Sequence, residues 1–299
     1  MSQVVKNGHS NGRQLYLCKS CGKQFTGKKQ IDNQQLWYDY IFGKQTLNQL
    51  SAKYAISVSS VQRRLKSVHS TRVISCDNQV VVLMDTTYWG RGFGVMVFKD
   101  ALGKKIVWRK FVRYETLADY KEGVDWLLAN GFKIQGIVCD GLRGMLQLFS
   151  SYKVQMCQYH QIKIVKRYLT NQPELEASKA LLSIVKLLTH TDKSSFTGMF
   201  DAWTVKWHTF LIERSQDKKT GKSYYVHKRL RSAYLSLKRN MSHLWTFYDY
   251  PDCGIPNTNN GLEGQFMDLK SKLRNHSGLS KEHRKMFIDE YFRSTFTCT

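Results

Sequence analysis

Two short apolar runs, each stopped by an aspartate, constrain this chain more than any other feature. The run 79–84 (QVVVLM) leads into Asp85, and the run 134–139 leads into Asp140. Unbroken apolar stretches of strand length predict strands buried on both faces. Between them, 94–98 and 105–112 read as two further strands joined by a Gly-containing hairpin over 99–104. Apolar residues at 117, 120, 124, 127 and 128 then follow a helical period over 117–130, and Gly131 is a fitting stop. The order is three strands, a helix and a strand, which places the chain in the α/β class.

That order is the one an RNase H-like mixed sheet requires, although strand–helix alternation alone is common to many α/β folds. The 299 residues suffice for one large domain and a small accessory region. Residues 1–27 are short, polar and glycine-containing; 31–68 read as three short helices; 158–250 are almost wholly helical in pattern; 257–296 form a last helical segment. The expected organisation is a partial zinc-ribbon-like segment (1–27), a helix-turn-helix domain (28–70) and a domain over 77–299 with a helical insertion at about 158–250.

Charge narrows the partner. Against 23 acidic residues stand 46 Lys and Arg, a formal +23, and the cations recur from Lys6 to Arg293. A cationic body attracts a polyanion and binds it in a salt-dependent way. Nucleic acid fits that field; acidic lipid is the other reading. No run of 18 apolar residues exists, and the opening MSQVVKNGH is too polar for a signal peptide, so no membrane role is expected. Seven scattered cysteines suit a reduced, cytoplasmic setting better than a disulfide framework.

The carboxylates carry the chemistry. An Asp after one strand is ordinarily a turn former, which is how Asp77 and Asp100 read. Two aspartates ending neighbouring core strands meet at the sheet rim, where ligand sites of α/β folds gather. Their repulsion then calls for divalent cations. A third acid, Glu263, stands in the first turn of a helix beginning near Asn260. Leu262, Phe266, Leu269 and Leu273 form that helix's apolar stripe, while Met267, Lys270 and Arg274 share the face of Glu263. An acid in a first turn also serves as plain dipole compensation.

Several blocks, in order, resemble bacterial insertion-sequence transposases of the Mutator-related group, in the variant with an N-terminal zinc ribbon. They are Val81-Val-Leu-Met-Asp85-Thr-Thr, Gly136-Ile-Val-Cys-Asp140-Gly-Leu-Arg-Gly, Met156-Cys-Gln-Tyr-His160 and Asn257-Thr-Asn-Asn-Gly-Leu-Glu263. The resemblance implies a DDE transposase with the triad Asp85, Asp140 and Glu263. It implies two Mg²⁺ ions (Mn²⁺ able to substitute) roughly 3.5–4 Å apart, cutting and joining DNA strands at element ends. It further implies a helical insertion, a homo-oligomer on double-stranded DNA, element ends and target alike, and a place in the bacterial nucleoid. Cys157 and His160 match a Cys-x-x-His motif beside that site; a packed Cys157 is the alternative, and two ligands alone make no structural zinc site.

The front end reads as a DNA reader. Thr46-Leu-Asn-Gln49 has the form of a capping box, and Leu47, Leu50 and Tyr54 give its helix a core face. Ser57 is a natural cap for a second helix with Val61 and Leu65 inward. Ser59, Ser60, Gln62, Arg63, Arg64 and Lys66 then face outward, the layout of a recognition helix, and Lys270 and Arg274 are further DNA contacts. A plain helical hairpin is the other reading. Cys18 and Cys21 are half of a zinc ribbon, with no second pair nearby and His9 an unforced third ligand. Four ligands close such a site, so a shortened ribbon holding less than one Zn²⁺ per chain is expected. Trp203, Trp207 and Trp245 suit core packing, for at least two of them, or stacking on unpaired bases. Residues 216–223 read as a solvated loop, because their Gly-Lys-Ser lacks the context of a phosphate loop. A transposase-derived DNA-binding protein without catalytic activity, and another RNase H-like nuclease, stand as alternatives.

Overall fold

The computed structural model describes residues 3–10, 12–26, 31–68 and 78–294. Asp77 and the expected domain start at 77 lie outside them, as does the expected boundary at 27–28. The chain divides into two compact units, one of residues 1–71 and 271–291, the other of 72–270 and 292–299.

In the first unit an antiparallel meander is formed by β1 (Val4–Ser10), β2 (Arg13–Cys18) and β3 (Gln24–Thr26). Three helices follow: α1 (Asn33–Ile41), α2 (Leu47–Tyr54) and α3 (Val58–Lys66). Their ends are set locally. The Thr46 hydroxyl accepts from Gln49 N and the Gln49 side chain accepts from Thr46 N, closing the capping box. Ala55 ends α2 at φ +52°, and the Ser57 hydroxyl accepts from Ser60 N to start α3. Leu36, Ile41, Leu50 and Val61 make the core. Asp39, buried, accepts from Lys53 Nζ at 2.6 Å and from the Tyr54 hydroxyl at 2.8 Å, so α2 is clasped to α1. From the far end of the chain, His276 Nε2 lies 3.0 Å from the Tyr40 carbonyl, and Phe287 packs edge-on against the Tyr40 ring.

The second unit is built on a five-stranded mixed sheet. Its strands are β4 (Gln79–Tyr88), β5 (Gly94–Asp100), β6 (Ile106–Val112), β7 (Lys133–Cys139) and β8 (Val154–Met156), in the order β6-β5-β4-β7-β8. The first three are antiparallel; β7 and β8 run parallel to β4. Strand β8, a buried three-residue piece, is the one the sequence reading lacks. The helix α4 (Leu117–Ala129) crosses from β6 to β7 and buries Tyr120, Val124 and Leu127 against Val82, Met84, Met96 and Phe98. It lies close because position 123 is glycine: a Cβ there would run into the rings of Phe98 and Trp108. Asp100 is a turn acid, accepting backbone N–H groups of Val81, Leu102 and Gly103.

The pairing of β4 with β7 contains a bulge. Val80 faces Ile134, but Val81 faces Gly136, so Gln135 is an extra residue in β7. Beyond it the pairs are Val82–Ile137 and Leu83–Val138.

A short α5 (Met145–Leu148) precedes β8, and a helical layer follows it: α6 (Gln158–Leu169), α7 (Glu176–Lys186), α8 (Lys193–Lys206), α9 (His208–Ile212), α10 (Lys228–Asn240) and α11 (Thr246–Asp249). This is the helical stretch expected over 158–250, with one addition. Strands β9 (Arg214–Gln216) and β10 (Ser223–Tyr225) pair as an exposed hairpin around the segment read as a solvated loop. The layer's core contains Leu181, Val185, Phe196, Phe200, Trp203 and Trp245, while Trp207 is half-buried and packs edge-on against Phe210. Then come α12 (Asn260–Arg274) and α13 (Lys281–Ser294). Among the described residues no helix is long and apolar enough to cross a membrane.

Candidate active site

Asp85 does not end its strand, which continues to Tyr88 along β5. It lies two residues past Leu83, the last residue of β4 paired with β7. Asp140 lies two residues past Val138, the partner of Leu83, and directly follows β7. The two aspartates are therefore level in register on adjacent parallel strands. One aspartate stands where the β7 side of β4 opens, the other where β7 stops. Asp85 is buried, 9% exposed, and its carboxylate accepts the Thr86 N–H at 2.8 Å. Burial first, then the neighbouring charge of Asp140, raises its pKa to about 7. Asp140 accepts the Leu142 N–H at 3.0 Å in a turn eased by Gly141 at φ +77°.

Glu263 reaches this rim because the residues before α12 are tied down. The Asn259 amide donates to the Met84 carbonyl at 2.9 Å, one residue before Asp85. The Asn259 N–H donates to Cys157 Sγ at 3.3 Å, and Lys99 Nζ of β5 donates to the Gly261 carbonyl at 3.0 Å. Asn257 exchanges hydrogen bonds with Gln158 at the start of α6. Cys157 is fully buried and serves in this packing, with its thiol pKa raised by burial.

His160 arrives from the other side, on the first turn of α6. Buried amides fasten that helix and the strand before it: Gln158 of α6 and Gln155 of β8 both donate to the Leu244 carbonyl, and Asn240 donates to Gln161. The His160 Nε2 stands 3.3 Å from Glu263 Oε1, and Lys163 Nζ stands 3.1 Å from the same oxygen. One ligand atom each of Asp85, His160 and Glu263 lie within 4.8 Å of one another. Burial lowers the pKa of His160 against the raising influence of Asp140 and Glu263, and its Nδ1, buried, has no hydrogen-bond partner among the described residues.

Two carboxylates and an imidazole at this separation fit a divalent cation, and the buried Asp85, repelled by Asp140 and Glu263, gives that cation a reason to bind. Carboxylate oxygens suit Mg²⁺ or Mn²⁺, and an imidazole nitrogen favours the softer of the two.

Sequence reasoning missed Glu115. It lies between β6 and α4, accepts from the Tyr120 hydroxyl at 2.9 Å, and has its pKa raised by burial and by Asp140. Preceding the helix cap Thr116, it carried no signal beyond an ordinary acid near a helix start. Asn259 was likewise unassigned; its one signal was the polar run before Glu263. Glu115, Asp140 and His160 line a cavity of about 1040 Å³ together with Arg143, Lys163, Arg167 and Arg239.

No protein-family model matches the chain, and no curated protein matches it. Among solved structures it is similar to the Drosophila P element transposase strand transfer complex, with a TM-score of 0.36 and 12% identity, over 90% of this chain and 92% of that one. It is also similar to a chain of the simian T-cell lymphotropic virus intasome in complex with PP2A regulatory subunit B56 gamma. There the TM-score is 0.23 and the identity 12%, over 52% of this chain and 69% of that one.

The residues expected to read DNA divide by surroundings. Ser59, Gln62, Arg63 and Lys66 of α3 are exposed, whereas Ser60 and Arg64 are half-buried. Arg64 donates to Asn33 of α1 at 2.7 Å, and Arg63 donates to the Ser60 hydroxyl at 3.3 Å. On α12, Lys270 Nζ stands 6.0 Å from the Trp89 ring centre, and Arg274 is exposed. Cys18 ends β2 and Cys21 is exposed in the turn after it; a hydrogen bond from Cys21 lowers the Cys18 thiol pKa. Among the described residues the pair joins no third metal-ligating side chain.

Proposed function

We propose that this chain is a DNA transposase of the DDE type, in which Asp85, Asp140 and Glu263 serve metal-dependent phosphoryl transfer at the ends of an insertion element. The observation that carries the reading is the register match of Asp85 and Asp140 on parallel strands, with Glu263 brought to the same point from a helix much later in the chain. A sheet ordered β6-β5-β4-β7-β8 and followed by a helical layer supports an RNase H-like catalytic domain.

Asp85 and Glu263, with Asp140 and His160 beside them, would hold the divalent cation. When bound, such a cation polarises a phosphodiester oxygen and makes a water or a 3′-hydroxyl nucleophilic at neutral pH. Asp85 contributes a carboxylate kept dry by the sheet, and Asn259 holds Glu263 at the rim through the Met84 carbonyl. Lys163 neutralises part of the acid cluster and leaves a cation facing an incoming phosphate. The α2–α3 pair supports a helix-turn-helix that presents Gln62, Arg63 and Lys66 to duplex DNA.

A nicking assay on duplex DNA carrying the element's own ends, with Mg²⁺ or Mn²⁺, tests the proposal. Cleavage is expected from the wild type and not from Asp85→Asn, Asp140→Asn or Glu263→Gln, while all four proteins bind the same duplex. Duplex binding with no cleavage by the wild type would move the chain to the DNA-binding reading without catalysis.

A further inference from the structure

The cavity beside the carboxylates is asymmetric in charge. Two acids, Glu115 and Asp140, line it against four cations, Arg143, Lys163, Arg167 and Arg239. Lys163 is paired with Glu263, but no described residue gives the guanidinium groups of Arg143, Arg167 or Arg239 a carboxylate partner. These three arginines come from separate elements: the turn after β7, the last turn of α6 and the last turn of α10. Like charges converging on one concavity repel, and the concavity focuses their field on whatever enters it. At about 1040 Å³ the space is at the top of the ~300–1,000 Å³ range of ligand pockets. A volume of that size takes a few unpaired nucleotides, whose bases are free to stack on a side chain as paired bases are not. Ile164 and Tyr168 add apolar and aromatic surface to the same cavity, which the face of a base requires and a bare phosphate does not.

We infer that this cavity is a binding site for an unpaired phosphodiester strand, holding the nucleotides next to the bond presented to the carboxylates. Arg167 and Arg239 clamp its phosphates, and Tyr168 with Ile164 receives a base. This rests on reading the carboxylates as a strand-cutting centre, so it is tested without cutting.

Fluorescence anisotropy in EDTA, with labelled oligothymidylate, oligouridylate and a duplex of equal length, separates the possibilities. The double variant Arg167→Gln/Arg239→Gln should lose at least tenfold affinity for the unpaired strand. Its dependence of log affinity on log salt should shallow by about 0.7 for each phosphate left without a cation. Duplex affinity should change far less. A charge-matched control, Lys133→Gln/Lys186→Gln, removes two lysines outside the cavity and should leave strand binding near wild type. Thermal melting of both variants verifies the fold. Tight binding of either strand supports the site, since both present phosphates and a base that can stack. Unchanged strand affinity in the arginine variant, equal loss on strand and duplex, or equal loss in the lysine control overturns the site. Failure of the wild type to cleave any DNA with Mg²⁺ would instead remove the catalytic reading and leave this measurement standing.

Discussion

An aspartate with a pKa of about 7 inside a sheet rim is a stability liability when no cation is present. Its ordinary value is 3.8, so between about pH 4 and 7 the native state keeps a proton that the unfolded chain has released. Stability therefore falls as pH rises through that window and levels off above it. Each tenfold change in acidity is worth about 1.36 kcal/mol, which puts the cost at pH 8 on the order of 4 kcal/mol. Asp85→Asn should thus melt higher than the wild type at pH 8 in EDTA, with the gap closing toward pH 4; a gap independent of pH would rule out this ionisation as its source. Arg63 and Arg64 separate in the same way, by surroundings. Arg64→Ala loses the charge-assisted bond to Asn33 and should cost about 1 kcal/mol of stability in a denaturant titration. Arg63→Ala should leave stability alone and weaken duplex binding. Asp85 and Asp140 were legible because each terminates an apolar run. Glu115 was not, since its place beside Asp140 comes from the fold and not from its neighbours in sequence.

Elements whose ends are decided locally were read correctly: the Thr46 capping box and the Ser57 cap need only three residues of context. The β9–β10 hairpin escaped because its strands are three residues long and exposed, without the apolar alternation that marks a strand. The placement of α12 depends on bonds spanning more than 100 residues, from Asn259 to Met84 and from Lys99 to Gly261. Removing the first leaves a buried carbonyl unpaired, at about 1–3 kcal/mol. Asn259→Ala should therefore lower the melting temperature and, at a temperature where it is fully folded, bind Mn²⁺ more weakly than the wild type by calorimetry. Equal Mn²⁺ affinity would show that α12 is held without this bond.

For the molecule as a whole, the cation should act as a stabiliser. A ligand that binds only the native state adds about 2.7 kcal/mol at a hundredfold excess over its dissociation constant. Mn²⁺ should raise the melting temperature of the wild type, EDTA should reverse it, and Asp85→Asn and Glu263→Gln should respond little. A shift of equal size in those variants would place the binding elsewhere. The α/β class and the helical stretch over 158–250 were legible because hydrophobic periodicity is written along the chain. The grouping of 271–291 with the N-terminal unit was not. It depends on long-range pairs such as His276 with Tyr40, 236 positions apart, between residues that look unremarkable alone.

The extra residue in β7 turns the carboxylate rim into a matter of odd and even. Side chains alternate between sheet faces, so a one-residue slip exchanges one set for the other. With Gln135 bulged out, Asp140 stands level with Asp85. Were Val81 paired with Gln135 instead, the strands would meet one step out of phase, with Asp140 carried past Asp85 toward the reverse side. The bulge is thus a spare step that the strand can give up but not add to. Excising Gln135 should make the ladder regular and leave the two acids level. Inserting one alanine between Val138 and Cys139 should push Asp140 a step beyond its partner, although every charged residue is still present. Mn²⁺ binding kept by the deletion and weakened by the insertion, with native circular dichroism in both, would reveal that parity; equal binding in the two would refute it.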